Sequence, residues 1–193
     1  MPFVQAIIPF QPAPDMWGAT PIARSPSASV VPGIDRLEAD ICAVPPGGHI
    51  STLVSLGLDA GFAPARVRTL SVRVNALNWE SGLAEAFFAW SHASAGLRIY
   101  IEEFSHALAY MRAVPGPVTT AFDLNAAFLG LSSTGVGARR NLTASLTMTA
   151  VPGNFYRIWV DALHTADCEA ITGPASGVAN AAFDFGPVFF NFV

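Results

Sequence analysis

From residue 37 onward, apolar and polar side chains alternate in short runs bounded by glycine and proline, the period of a half-buried strand. The stretch 141–151 is the clearest. Leu142, Ala144, Leu146, Met148 and Ala150 share one face, and Thr143, Ser145, Thr147 and Thr149 the other. Pro152-Gly153-Asn154 then turns the chain into 155–163, where Phe155, Arg157 and Trp159 oppose Tyr156, Ile158 and Val160. Strands are likewise expected over 37–44, 51–58, 66–75, 119–131 and 178–192. The runs 83–91 and 97–104 read as a hairpin closed around Ala95-Gly96, a turn signal between two strand-length segments. The stretch 105–114 mixes two periods, with Phe104, Leu108 and Met111 at helical spacing and His106, Leu108, Tyr110 and Arg112 at strand spacing. The surrounding β pattern decides for a strand.

Three Val-Pro-Gly tripeptides (31–33, 114–116 and 151–153) suit type II turns, with glycine at the position of positive φ. Their intervals are unequal, so they reflect shared turn chemistry rather than a repeat. With no βαβ rhythm, the pattern predicts an all-β chain: an antiparallel, jelly-roll-like β-sandwich of about eight to nine strands over 36–193. Residues 1–35 differ. Seven prolines disfavour helix and central strand, yet Phe3, Val4, Ile7, Ile8, Phe10, Met16 and Trp17 are too apolar for a solvated tail. An extended N-terminal arm, packed on this domain or on a neighbouring one, fits both facts.

Composition sharpens the picture in one respect. Only 12% of the 193 residues are charged, against about 25% in ordinary soluble domains. The 34 Ser, Thr, Asn and Gln residues do not make up the difference. A monomer built this way exposes wide apolar stretches, which mark interfaces. All ten basic residues are arginine, which excludes a P-loop lysine and a Schiff base. Net charge −4 argues against a nucleic-acid partner. Met1-Pro2-Phe3 lacks the basic start of a signal peptide, and no apolar run approaches the ~20 residues of a membrane helix. The aromatic ending 183–192 resembles the last strand of an outer-membrane barrel, but Pro187 interrupts it. Cytoplasmic synthesis, with incorporation into a particle, is the expected history.

Candidate chemistry is sparse. His164, Asp167, Cys168 and Glu169 form the densest polar cluster, and Cys42 with His49 could complete a four-ligand site, but no spacing motif supports metal or cofactor binding. Glu102 and Glu103 are adjacent and so point to opposite faces of a strand. His92 and His106 flank the expected hairpin and could face one another. Residues 130–140 are glycine-rich but lack the lysine of a phosphate loop, and Arg139-Arg140 is expected to decorate a turn. Trp79, Trp90, Trp159 and Tyr100 could form a sugar-stacking platform.

The first functional expectation is a structural, self-assembling subunit of a virion, tail, filament or shell. Its homo-oligomeric contacts would come from Phe3, Ile7, Ile8, Phe10, Trp17, Phe189 and Phe190. A carbohydrate- or small-ligand-binding module is the alternative, and an enzyme using His164 and Cys168 ranks last.

Overall fold

A computed structural model describes residues 8–10, 15–18, 22–31, 34–43, 47–66, 68–134, 138–170, 175–185 and 187–193, with strand backbone alone for those before His49. It is all-β, with two antiparallel sheets packed as a sandwich. The strands are β1 (Ile8–Phe10), β2 (Asp15–Gly18), β3 (Ile22–Val31), β4 (Ile34–Ala43), β5 (Gly47–Phe62) and β6 (Arg68–Phe104). They continue with β7 (Tyr110–Pro115), β8 (Thr119–Ser133), β9 (Ala138–Ala150), β10 (Phe155–Ala170), β11 (Ala175–Phe185) and β12 (Phe189–Phe192).

β6 organises the rest. One of its edges pairs in turn with β12, β11 and β10, and the other with β9, β8 and β7. The two ends of β6 nevertheless meet. Ala150 pairs with Arg68, and Phe155, five residues later, pairs with Phe104. The strand therefore turns over on itself, and its partners turn with it. The first half of β6 lies in a layer ordered β3-β4-β11-β6-β9; the second half lies in a layer ordered β5-β10-β6-β8, with β1 and β2 added to the outer edge of β5.

Burial marks the fold line. Inward residues of β6 are even-numbered through Ala86 and odd-numbered from Ala89. Phe87 and Phe88 between them both face out, and two residues of β6 oppose one of β8 there, a β-bulge. Phe88 and Phe128 adopt left-handed φ of 50° and 63°, a region that costs a side chain about 1–2 kcal/mol.

One core fills the space between the layers. Towards the open end it holds Leu70, Val72, Leu97, Ile99, Ile101, Tyr156 and Ile158; towards the fold line it holds Ala84, Ala86, Ala89, Ala93, Ala166 and Ala179. Small side chains let the layers converge there, and His164 shows how closely. Its Nε2–H, from β10, donates to the backbone carbonyl of Ala181 on β11 at 3.1 Å.

Several expectations change. Residues 83–104 form no hairpin. Ala95-Gly96 lies mid-strand in β6, where the side chain of Val118 occupies the space a β-carbon on Gly96 would need. Residues 105–109 form a turn, closed by Ser105 N–H to the Ala109 carbonyl, and only Tyr110–Pro115 is strand. Pro187 splits the expected final strand into β11 and β12. At 151–153 the type II turn forms, with Gly153 at φ 77° and Asn154 N–H on the Val151 carbonyl. At 114–116 it does not; Gly116 N–H instead bonds the Ile99 carbonyl.

Burial lowers the pKa of His164 to about 4. In the unfolded chain the ring titrates near 6.5, so its contribution to stability is complete above pH 6.5 and is lost as pH falls towards 4. The linked loss is roughly 3 kcal/mol. Urea unfolding of wild type between pH 7 and 4 should show it. The difference from His164→Gln, which keeps a donor without an imidazole, should shrink by about that amount over the same interval.

Candidate functional site

The outer face of the β5-β10-β6 layer carries the most elaborate chemistry among the described residues. Register places its side chains in rows across the strands. Nearest the fold line, His49 and His92 both bond Asp167, the second at 3.0 Å, and His92 Nε2 bonds Asp123 at 2.9 Å. Trp90 stacks on the His92 ring at 6.1 Å.

Three rows further along, Asp161 is buried and held from two sides. Ser55 Oγ–H donates to it at 2.7 Å, and Arg98 donates through Nε and Nη2 at 3.1 and 2.7 Å. The next row sets Trp159 beside Tyr100, with the indole N–H on Glu102 at 2.9 Å. The indole lies directly over Gly57, where an added β-carbon would come within 2.7 Å of the ring. Burial, then the neighbouring Glu102 carboxylate, raises the Tyr100 phenol above its ordinary range. Leu53, Ser55, Arg98, Tyr100, Glu102, Trp159 and Asp161 enclose a cavity of about 370 Å³. Arg157 and Asp59 pair beyond it at 2.8 Å, followed by Phe62, Phe155 and Phe104 in edge-to-face contact.

The arrangement can hold a polar, ring-shaped ligand: one aromatic platform with convergent donors and acceptors. Asp161 is held there as the ion-pair partner of Arg98. No group of three His, Cys, Asp or Glu side chains among the described residues is placed to hold a metal ion.

No family model, curated protein or solved structure matches this chain. Of the four residues expected to form a sugar platform, the fold brings together only Trp159 and Tyr100. Trp90 lies ten residues away along β6, and Trp79 lies in the other layer beneath the Arg139 guanidinium, 3.6 Å from the ring centroid. Arg139 and Arg140 belong to β9 rather than a turn; Arg140 reaches Glu80 at 3.3 Å and the Ala121 carbonyl at 3.1 Å. His164 and Cys168 are both buried, four residues apart on one strand, about 13 Å by strand rise. His49 and Asp167 point out of the sheet while Cys168 points in, so a shared four-ligand site does not form; the side chain of Cys42 lies outside the described residues. His92 and His106 do not meet, since His106 sits in the exposed turn after β6.

Glu102 and Glu103 do face opposite ways. Glu103 is buried at the open end, where it accepts from Asn154 and Tyr156 at 2.8 Å each and from Arg112 at 2.5 Å. Burial pushes its carboxyl up, but these donors and the Arg112 charge outweigh that and leave it below its usual range.

A second cavity, of about 890 Å³, opens at the same end between β5 and β12. Ala60, Phe62, Arg73, Val188, Phe189, Phe190 and Phe192 are among its walls. Of the expected assembly residues, Phe189 is exposed and Phe190 half-buried here. Ile8, Phe10 and Trp17 lie on β1 and β2, whose backbones extend the β5 edge, with side chains outside the described residues. Phe3 and Ile7 lie outside them altogether. The aromatic cluster at the fold line has no signature in the residue pattern, because only the bulge brings Phe87, Phe88 and Phe128 together.

Gly57→Ala should destabilise the fold by about 1–3 kcal/mol, as overpacking does, and move Trp159 off the sheet. A shift in tryptophan emission with lowered thermal stability is the expected readout; unchanged emission would show that the ring tolerates the methyl group.

Proposed function

We propose that this chain is a structural subunit that assembles with copies of itself, built as a jelly roll. Two observations support the topology. The layers read β4-β11-β6-β9 and β5-β10-β6-β8, and successive stretches of chain enter the two layers in the paired, alternating manner of an eight-stranded jelly roll. The observation that carries the function is the surface. Phe87, Phe88, Trp90, Phe128, Leu129 and Leu131 are all exposed at the fold line, and Phe62, Leu108, Tyr110, Met111, Phe189 and Val193 at the open end. A lone soluble domain does not ordinarily keep two such clusters in water. Assembly would cover them, as in a virion, tail, filament or shell.

Sedimentation velocity from micromolar to nanomolar concentration tests this. The expected result is a concentration-dependent shift to species larger than the 20.3 kDa chain. A single monomer boundary throughout would overturn the reading.

The pocket at Trp159 favours a second reading, a carbohydrate-binding module. Stacking of a sugar on Trp159, with Arg98 and Glu102 on its hydroxyls, predicts glycan-array binding that Trp159→Ala weakens at least tenfold. Binding untouched by that change would exclude this pocket.

A further inference from the structure

We propose that self-association is head to tail: the aromatic knob at the fold line of one copy seats in the groove at the open end of the next. The inference rests on the self-assembly reading above and adds its geometry. The two surfaces lie at opposite ends of the sandwich, about 50 Å apart along the second half of β6 at the rise of a strand. The knob is convex. Phe88 packs edge-to-face against Phe87 at 4.8 Å and against Phe128 at 5.8 Å, and the three rings remain 47%, 43% and 69% exposed for Phe87, Phe88 and Phe128 in turn. The groove is concave, about 890 Å³, and walled by Phe62, Phe189, Phe190 and Phe192. One end offers what the other can receive.

Charge sets the same orientation. Exposed Glu85 and Glu169 flank the knob, at register positions beside Leu131 and Trp90. Exposed Arg66 and Arg68 stand at the open end, where β6 begins. Two knobs facing one another would oppose like charges, whereas knob to groove brings carboxylates to guanidiniums. Area agrees as well. A buried aromatic side chain covers about 150–250 Å², so the part-exposed knob and its leucines supply roughly 600 Å², near the ~800 Å² per partner of a standard interface.

The backbone adds a reason of its own. Phe88 and Phe128 hold phenyl rings outward from left-handed φ, which asparagine accepts more readily. Such strain is retained where the side chain serves something beyond the fold. A heterologous contact of this kind leaves a free knob and a free groove on every oligomer, so it grows into a filament or closes as a ring.

The test uses the full chain and two blocked forms. Phe88→Asn/Phe128→Asn removes the knob, and Phe189→Asp fills the groove with charge. Each alone should raise the apparent dissociation constant at least tenfold in sedimentation velocity, while the knob variant melts no lower than wild type. Mixed in equal amounts, the two should form a 1:1 dimer and stop, since only one compatible knob-groove pair remains. Should Phe189→Asp fail to fold, Arg66→Glu/Arg68→Glu serves as the groove-side block. Blocked forms that assemble like wild type, a groove variant that forms homodimers through its knob, or a mixture that stays monomeric would each overturn the head-to-tail arrangement while leaving self-assembly standing. A wild type that never associates would overturn both.

Discussion

A strand hydrogen-bonded along both edges can bury one face only if that face keeps pointing at the core, and for β6 this sets the terms for everything else. Over 37 residues the strand spans far more than a small domain's width, so it must fold over. When it does, the layer it enters lies on the opposite side of the core. The bulge at Phe87 and Phe88 adds one residue at the fold, so inward positions that were even become odd and a buried face continues past it. The partners are bound by the same requirement. β10 and β11 run one after the other along β6, broken where β6 bends; β8 takes up the mismatch at Phe128. Alanines on the inner face allow the layers to close down beside the fold, and the His164 bond to the Ala181 carbonyl ties them there.

How much of this could be read from the chain depends on what each signal reports. The 141–151 and 155–163 strands were legible because alternation is a local consequence of burying one face, and β9 and β10 do bury it. Residues 105–114 defeated the same logic: a five-residue turn precedes the strand, and its Leu108, at φ 61°, imitates helical spacing. Gly96 failed for a different reason. Glycine signals a turn when its dihedral freedom is in use, but Gly96 is a glycine because Val118, in the loop just before β8, lies over it. Gly57 beneath Trp159 is the same case. No local pattern reports a side chain arriving from another part of the chain, so neither the continuity of β6 nor the Trp159 pocket could be found from spacing. The expected separation of Glu102 from Glu103 held because it needs only strand parity.

The charge deficit looks different once burial is known. Asp161, Glu103 and Glu80 have side chains no more than 4% exposed, and each takes an arginine: Arg98, Arg112 and Arg140. The surface is therefore poorer in charge than the composition suggests. Such pairs contribute little net stability, since desolvation offsets much of the attraction. Their value is better sought in register. An antiparallel sheet whose inner face is largely alanine is weakly specified, because a slip of two residues exchanges one small side chain for another. Slipping β10 by two would carry Asp161 away from Arg98 and Ser55 together, and slipping β9 would leave Glu80 buried without its cation. The cost of an unpaired buried charge, several kcal/mol, thus falls on the misregistered states. Charges spent on holding register are unavailable for solvating the exterior, and large apolar side chains stay exposed at both ends of the sandwich.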